Sequence, residues 1–133
     1  MATRSRIGIL NADGTVTSVY CHWDGFPSHN GKILREHYNT PEAVKELLMG
    51  GDMSVLAPKC SKPEGHSYDN PVKGYVIYYG RDRGDLDTKA RVDATEDDFW
   101  LDGEEYNYLM KNGVWTVNGE KLTAATCKKF NLN

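Results

Sequence analysis

The chain has 133 residues, of which 39% are hydrophobic and 26% charged, with a net charge of −3. That length fits a single domain, residues 1–133, able to bury enough apolar surface to fold without a disulfide or a metal. The acidic balance argues against a protein that grips duplex phosphates, and no apolar run nears the ~20 residues that cross a bilayer.

Arg6 to Leu10 reads as a strand, Asn11-Ala12-Asp13-Gly14 as a turn, and Thr15 to His22 as the return strand of a hairpin. Side chains alternate along a strand, so Val16, Ser18, Tyr20 and His22 share one face and Val19 and Cys21 the other. Trp23 to Pro27 breaks the strand. Ser28 is placed to cap a helix from about His29 to Tyr38. Thr40-Pro41-Glu42 starts a second helix, with Val44, Leu47 and Leu48 as its buried stripe and Gly50-Gly51 as its stop.

Asp52 to Leu56 reads as a short extended segment. Residues 58–71 hold three Pro and many polar side chains, which predicts a long loop. Val72 to Tyr79 is apolar or aromatic on both faces, as in a central strand, and Gly80 to Asp85 reads as a charged turn. Lys89 to Asp93 suits another strand, and Thr95 can cap an acidic helical turn through Trp100. Glu105–Lys111 and Val114–Val117 flank Asn112-Gly113, the clearest hairpin signal in the chain. Thr123 to Phe130 closes the chain as a short helix. The order of elements predicts an α+β fold, an antiparallel or mixed sheet with two helices packed on one face.

The densest chemistry lies at the strand-to-helix junction, where Tyr20, His22, Trp23, Asp24, Ser28, His29, Asn30 and Lys32 fall within thirteen residues. A helix start offers unpaired N–H groups to an anion, while Trp23 and Tyr20 can stack on bases and Lys32 can meet a phosphate. Asp24 and Asn30 carry groups that can read base edges, and Gly25 and Gly31 permit close backbone approach. A purely structural corner, with Ser28 as cap and Trp23 as core, is the competing interpretation. Arg81 and Arg83 form a second candidate, two guanidinium forks able to clamp an anion, unless each simply pairs with Asp82, Asp85 or Asp87. Arg4 and Arg6 are weaker versions of the same idea.

Catalysis has less support. Cys21 and His22 are strand neighbours and point to opposite faces, so they form no nucleophile–base pair. No Cys or His pair has the spacing of a zinc site, and neither a metal nor a cofactor is expected. Three widely spaced Cys and the absence of a signal-like start suit free thiols in a reducing cytoplasm.

The run Tyr20-Cys21-His22-Trp23-Asp24-Gly25-Phe26-Pro27-Ser28-His29-Asn30-Gly31-Lys32-Ile33-Leu34, with Glu36-His37-Tyr38, resembles a widespread family of small bacteriophage proteins. Thr3 to Gly8 and Tyr79 to Gly84 are similar to that family too, so the likeness covers roughly the first 85 residues. Phage proteins of this size and style include the sponges that sequester cyclic nucleotide signals of bacterial defence, such as the anti-CBASS proteins. The resemblance implies a homo-oligomeric anti-defence protein in the cytoplasm of the infected host. Its expected ligand is a cyclic di- or oligonucleotide or another small phosphate-bearing molecule, held without catalysis. The alternatives are an inhibitor that binds a host protein and a nucleotide hydrolase using His22, Asp24 and His29.

Overall fold

The computed structural model describes residues 2–129. The first hairpin forms as its pattern predicts. β1 (Ser5–Leu10) pairs antiparallel with β2 (Val16–Cys21), from Ser5 opposite Cys21 to Leu10 opposite Val16. Gly14 takes φ 89° in the turn, and the Asp13 carboxylate accepts the Thr15 N–H at 3.0 Å.

After β2 the chain reverses through Asp24, at φ 57°, and enters a π-helical turn, Pro27–Gly31, that runs into α1 (Lys32–His37). The expected Ser28 cap is not used. Pro27 occupies the first helical position, where its fixed φ and missing N–H cost nothing, so the helix begins one residue before Ser28. Phe26 stands in the cap position and contributes no side-chain bond. α2 (Pro41–Met49) follows its sequence signals closely: Thr40 Oγ1 accepts the Ala43 N–H at 3.2 Å, and Gly51 at φ 81° ends the helix.

The segment expected as a central strand is mostly loop. β3 (Met53–Val55) pairs with β4, which spans only Ile77–Tyr78 and lies at the outer end of the sheet. The preceding backbone is engaged elsewhere: the Val72 N–H donates to His66 Nδ1 at 2.9 Å and the Val76 N–H to the Lys59 carbonyl at 2.8 Å. The charged turn is a short helix, α3 (Tyr79–Arg83), because the Asp82 carboxylate reaches back to accept the Tyr78 N–H at 2.8 Å. Gly84, at φ 83°, closes it.

β5 (Arg91–Asp93) pairs with β2, and Thr95 caps α4 (Glu96–Leu101) by accepting the Asp98 N–H. β6 (Tyr106–Lys111) and β7 (Val114–Val117) meet through Asn112 and Gly113, both at positive φ, as a tight hairpin turn requires. β8 (Glu120–Lys121) and α5 (Ala124–Lys129) follow; Phe130, expected at the end of this helix, lies outside the described residues.

The eight strands form one mixed sheet, in the order β4-β3-β2-β1-β6-β7-β8, with β5 also paired to β2. β1–β6 and β2–β3 are parallel and the other pairs antiparallel. The fold is therefore α+β on a mixed sheet. Its main core joins Ile7, Ile9, Val19, Cys21, Met53, Tyr78, Tyr108 and Met110 of the sheet to Leu34 of α1 and Val44, Leu47 and Leu48 of α2. Leu34 and Leu47 are fully buried, which stabilises the fold by about 1.5–3 kcal/mol each. A second, smaller cluster unites Val16 and Leu109 with Phe99 of α4. No helix among the described residues is long and apolar enough to cross a membrane.

Candidate functional site

Strand alternation exposes an aromatic face at the β2–β3–β4 end of the sheet. Cys21, Met53 and Tyr78 are aligned across these strands, and all three are in the main core. Their chain neighbours Tyr20, His22, Ser54 and Tyr79 therefore project from the opposite side. Tyr20 Oη lies 2.7 Å from His22 Nδ1, and the His22 ring meets Trp23 edge-on with centroids 4.7 Å apart. Trp23 is 41% exposed, unusual for a residue with so much apolar surface.

The Arg83 group joins this face through Asp52. The Asp52 carboxylate accepts the Tyr20 N–H at 2.9 Å, and its carbonyl accepts the Tyr79 N–H at 3.1 Å. One residue thus fixes the backbone positions of both tyrosines. Burial is the main influence raising the Asp52 carboxyl above its ordinary range, against the Tyr20 N–H and the Arg6 and Arg91 charges. Arg83 lies over the rings of Tyr68 and Tyr79, at 4.5 and 4.6 Å from their centroids, and bonds Asp85 through Nε and Nη2 at 2.9 and 2.6 Å. Burial is the largest cause of the upward shift in both Tyr20 and Tyr79, and Tyr79 is close enough to Tyr20 to add to the shift of Tyr20.

Arg6 and Arg91 lie on the same side of the sheet, farther along β2. Arg6 stands opposite Tyr20 and Arg91 opposite Ser18, which places both with the Tyr20 side chain. Arg6 is 8% exposed; its Nε donates to Ser18 Oγ at 2.9 Å and its Nη2 to the Ser18 carbonyl at 3.4 Å. Arg91 donates to Asp93 and Asp102. Local sequence reasoning gave Arg6 little weight and passed over Arg91, because only the pairing of β5 with β2 brings them together. Alternation of Arg6 with Gly8 and Leu10 was the one available signal.

Other residues of the junction turn away from this face. Asn30 is completely buried, and its Nδ2 donates to Ser5 Oγ, the Cys21 sulfur and the Trp23 carbonyl at 3.2 to 3.4 Å. Its Oδ1 lies 2.9 Å from His29 Nδ1, while the His29 ring sits edge-on to Phe26. Those contacts engage both ends of the Asn30 amide within the protein. The N–H groups of His29 and Asn30, expected to await an anion, donate to the carbonyls of Phe26 and Asp24. Gly25 permits a close approach by the chain entering β1: a Cβ there would sit 2.7 Å from the Thr3 carbonyl oxygen and 2.8 Å from Ser5 Cβ. Ser28 is half-buried in the π-helical turn, and Lys32 is exposed at the start of α1, near Cys127 of α5. Asp24 remains half-exposed beside Trp23.

Arg81 and Arg83 diverge, because α3 rotates successive residues by about 100°. Arg81 grips Asp82 through Nε (2.8 Å) and Nη2 (3.0 Å) and donates to the carbonyls of Cys60 (2.8 Å) and Val76 (3.1 Å). His66 Nε2 lies 3.3 Å from Asp82 Oδ2, and both side chains are fully buried. Arg81 is thus a structural clamp on the 58–76 loop, and Arg83 is the member of the pair left on the aromatic face.

Two observations bear on catalysis. Burial pushes the Cys21 thiol up to about 11 despite the Asn30 amide, so at neutral pH it is a protonated core group and no nucleophile. Among the described residues no group of three or more His, Cys, Asp and Glu is arranged to hold a metal ion. What the face offers is flat aromatic surface, one stacked guanidinium and a nearby pair of arginines: a binding chemistry for planar, anionic molecules. Comparison with protein-family models, with curated proteins and with solved structures finds no match to the chain.

Proposed function

We propose that the chain binds and sequesters a small phosphate-bearing nucleotide, a cyclic di- or oligonucleotide, on the aromatic face and returns it unchanged. The observation that supports this reading is the convergence at Asp52 of Tyr20-His22-Trp23 with the Tyr68–Arg83–Tyr79 stack. Nucleobases need flat aromatic partners, worth about 1–3 kcal/mol per stacked base. Phosphates need guanidinium forks. Trp23 and Tyr20 take bases, Asp24 reads a base edge, and Arg83 takes a phosphate by exchanging its Asp85 partner. The sequence resemblance to small phage proteins favours an immune signal of the infected bacterium as ligand. In this reading the protein acts in the host cytoplasm, and a second copy of the chain covers the open face.

The test is calorimetry of the purified chain against a panel of cyclic di- and trinucleotides, followed by mass spectrometry of ligand released on heating. Sub-micromolar binding with intact ligand is expected. No heat across the panel would overturn the proposal, and a cleaved product would replace the sponge by a hydrolase.

A further inference from the structure

We propose that Arg6 and Arg91 form an oxyanion subsite of the phosphate class on the sheet face beside Tyr20. The inference deepens the nucleotide-binding reading by giving the ligand's phosphate a second place, and it rests on that reading for the ligand's identity. The site itself rests on two features of its own.

The first is Arg6, a nine-tenths buried residue whose guanidinium has no carboxylate within ion-pair distance among the described residues. Buried arginines are ordinarily paired, because an uncompensated charge in a low-dielectric setting is costly. Only Ser18 receives its hydrogen bonds, through Nε and Nη2, and Nη1 donates to no described residue. The second is Arg91, whose Nη2 is buried without an aligned hydrogen bond, although it lies 2.9 Å from Asp93 Oδ2. Arg6 therefore has no carboxylate in contact with it, and Arg91 has a buried N–H group without an aligned acceptor.

The acids whose charges favour Arg6, Asp52, Asp93 and Glu104, act from beyond ion-pair distance. Asp93 is engaged by Arg91, and Asp52 Oδ1 accepts the Tyr20 N–H. The two guanidinium groups are also near enough for the Arg91 charge to act against that of Arg6, second only to burial. A tetrahedral oxyanion between them would accept from Arg6 Nη1 and Arg91 Nη2, bring a negative charge into contact with Arg6 and screen the repulsion. Its position beside Tyr20 suits the phosphate of a ligand whose base stacks on the aromatic face.

The experiment is calorimetric titration of the full chain with inorganic phosphate and with pyrophosphate at constant ionic strength. It is repeated on Arg6→Lys, which keeps the charge and loses the fork, on Arg91→Gln, and on Lys62→Gln, an exposed cation of the 58–76 loop outside both sites. Saturable binding is expected, weakened about tenfold to a hundredfold by Arg6→Lys and by Arg91→Gln, and unchanged by Lys62→Gln. Circular dichroism identifies any variant that fails to fold, and Arg91→Gln, at a half-exposed position, guards against loss of the Arg6 variant. Absence of saturable binding to the native chain, or equal binding by the folded variants, would overturn the site. A cyclic dinucleotide that binds native, Arg6→Lys and Arg91→Gln proteins equally would overturn this assignment and leave the nucleotide reading intact. Pyrophosphate binding that depends on Arg6 and Arg91, with no nucleotide bound by the native chain, would support the site and overturn the nucleotide reading.

Discussion

Tyr20, His22 and Trp23, at the start of the run that ends at Lys32, lie half-buried or exposed on an open sheet face, whereas Asn30 and Gly31, near its end, are buried inside the protein. The residue types at the two ends look equally functional. What separates them is the reversal at Asp24, whose positive φ turns the chain back against β1 and points the Asn30 amide inward. The same division recurs in α3, where Arg81 and Asp82 hold the 58–76 loop while Arg83, itself exposed, stacks on half-buried tyrosines. Polar side chains close in sequence serve architecture on one side of a bend and contact on the other.

Breaking the buried half should have the largest effect. Asp82→Asn removes the charge that Arg81 and the buried His66 face, and is expected to cost about 3–5 kcal/mol in urea denaturation. The pH dependence follows from the same carboxyl. Burial tends to raise its pKa, but the Arg81 bonds and charge and the Tyr78 N–H outweigh it and hold the group below the usual range. Its contribution to stability is therefore fully present above the unfolded carboxylate pKa of about 4 and is lost as pH falls through the lower folded value. Stability of the native chain should drop over that acid window, and the drop should be shallower in Asp82→Asn. An identical acid profile in the two proteins would contradict this account.

Asn30→Ala probes the buried end of the junction. It strips bonds from Ser5, Cys21 and the Trp23 carbonyl, and the expected loss is about 1–3 kcal/mol. Thermal unfolding measures it, and a midpoint equal to that of the native chain would remove Asn30 from the architecture. Trp23→Ala probes the open end, with the smallest effect on folding, within about 0.5 kcal/mol. Its consequence belongs to binding: cyclic dinucleotide affinity should fall by about 1–3 kcal/mol. A Trp23 variant that unfolds readily but binds undiminished would reverse the comparison.

Much of the fold was legible along the chain. The first hairpin, the Thr40–Gly51 helix, the Thr95 cap and the Asn112-Gly113 hairpin all rest on local rules that neighbouring residues satisfy by themselves. Alternation also correctly separated Cys21 from His22, which removed the nucleophile–base pair. The failures have a common cause. The π-helical turn began at Pro27 because a backbone preference outranked the side-chain cap of Ser28, and Val72 to Val76 stayed out of the sheet because His66 and Lys59 took its N–H groups.

The candidate site was legible in its residue types and illegible in its assembly. Composition and alternation alone determined an α+β chain with Tyr20 and His22 on the strand face opposite Cys21; the exposure of Trp23 was decided by the tertiary structure. The convergence with Arg83, the burial of Asn30 and the meeting of Arg6 with Arg91 were decided by tertiary structure. Each depends on pairings between distant segments: Asp52 to Tyr20 and Tyr79, Ser5 to Asn30, and β5 to β2. Local periodicity reports which face of an element a side chain occupies, but not which distant segment will pack beside it.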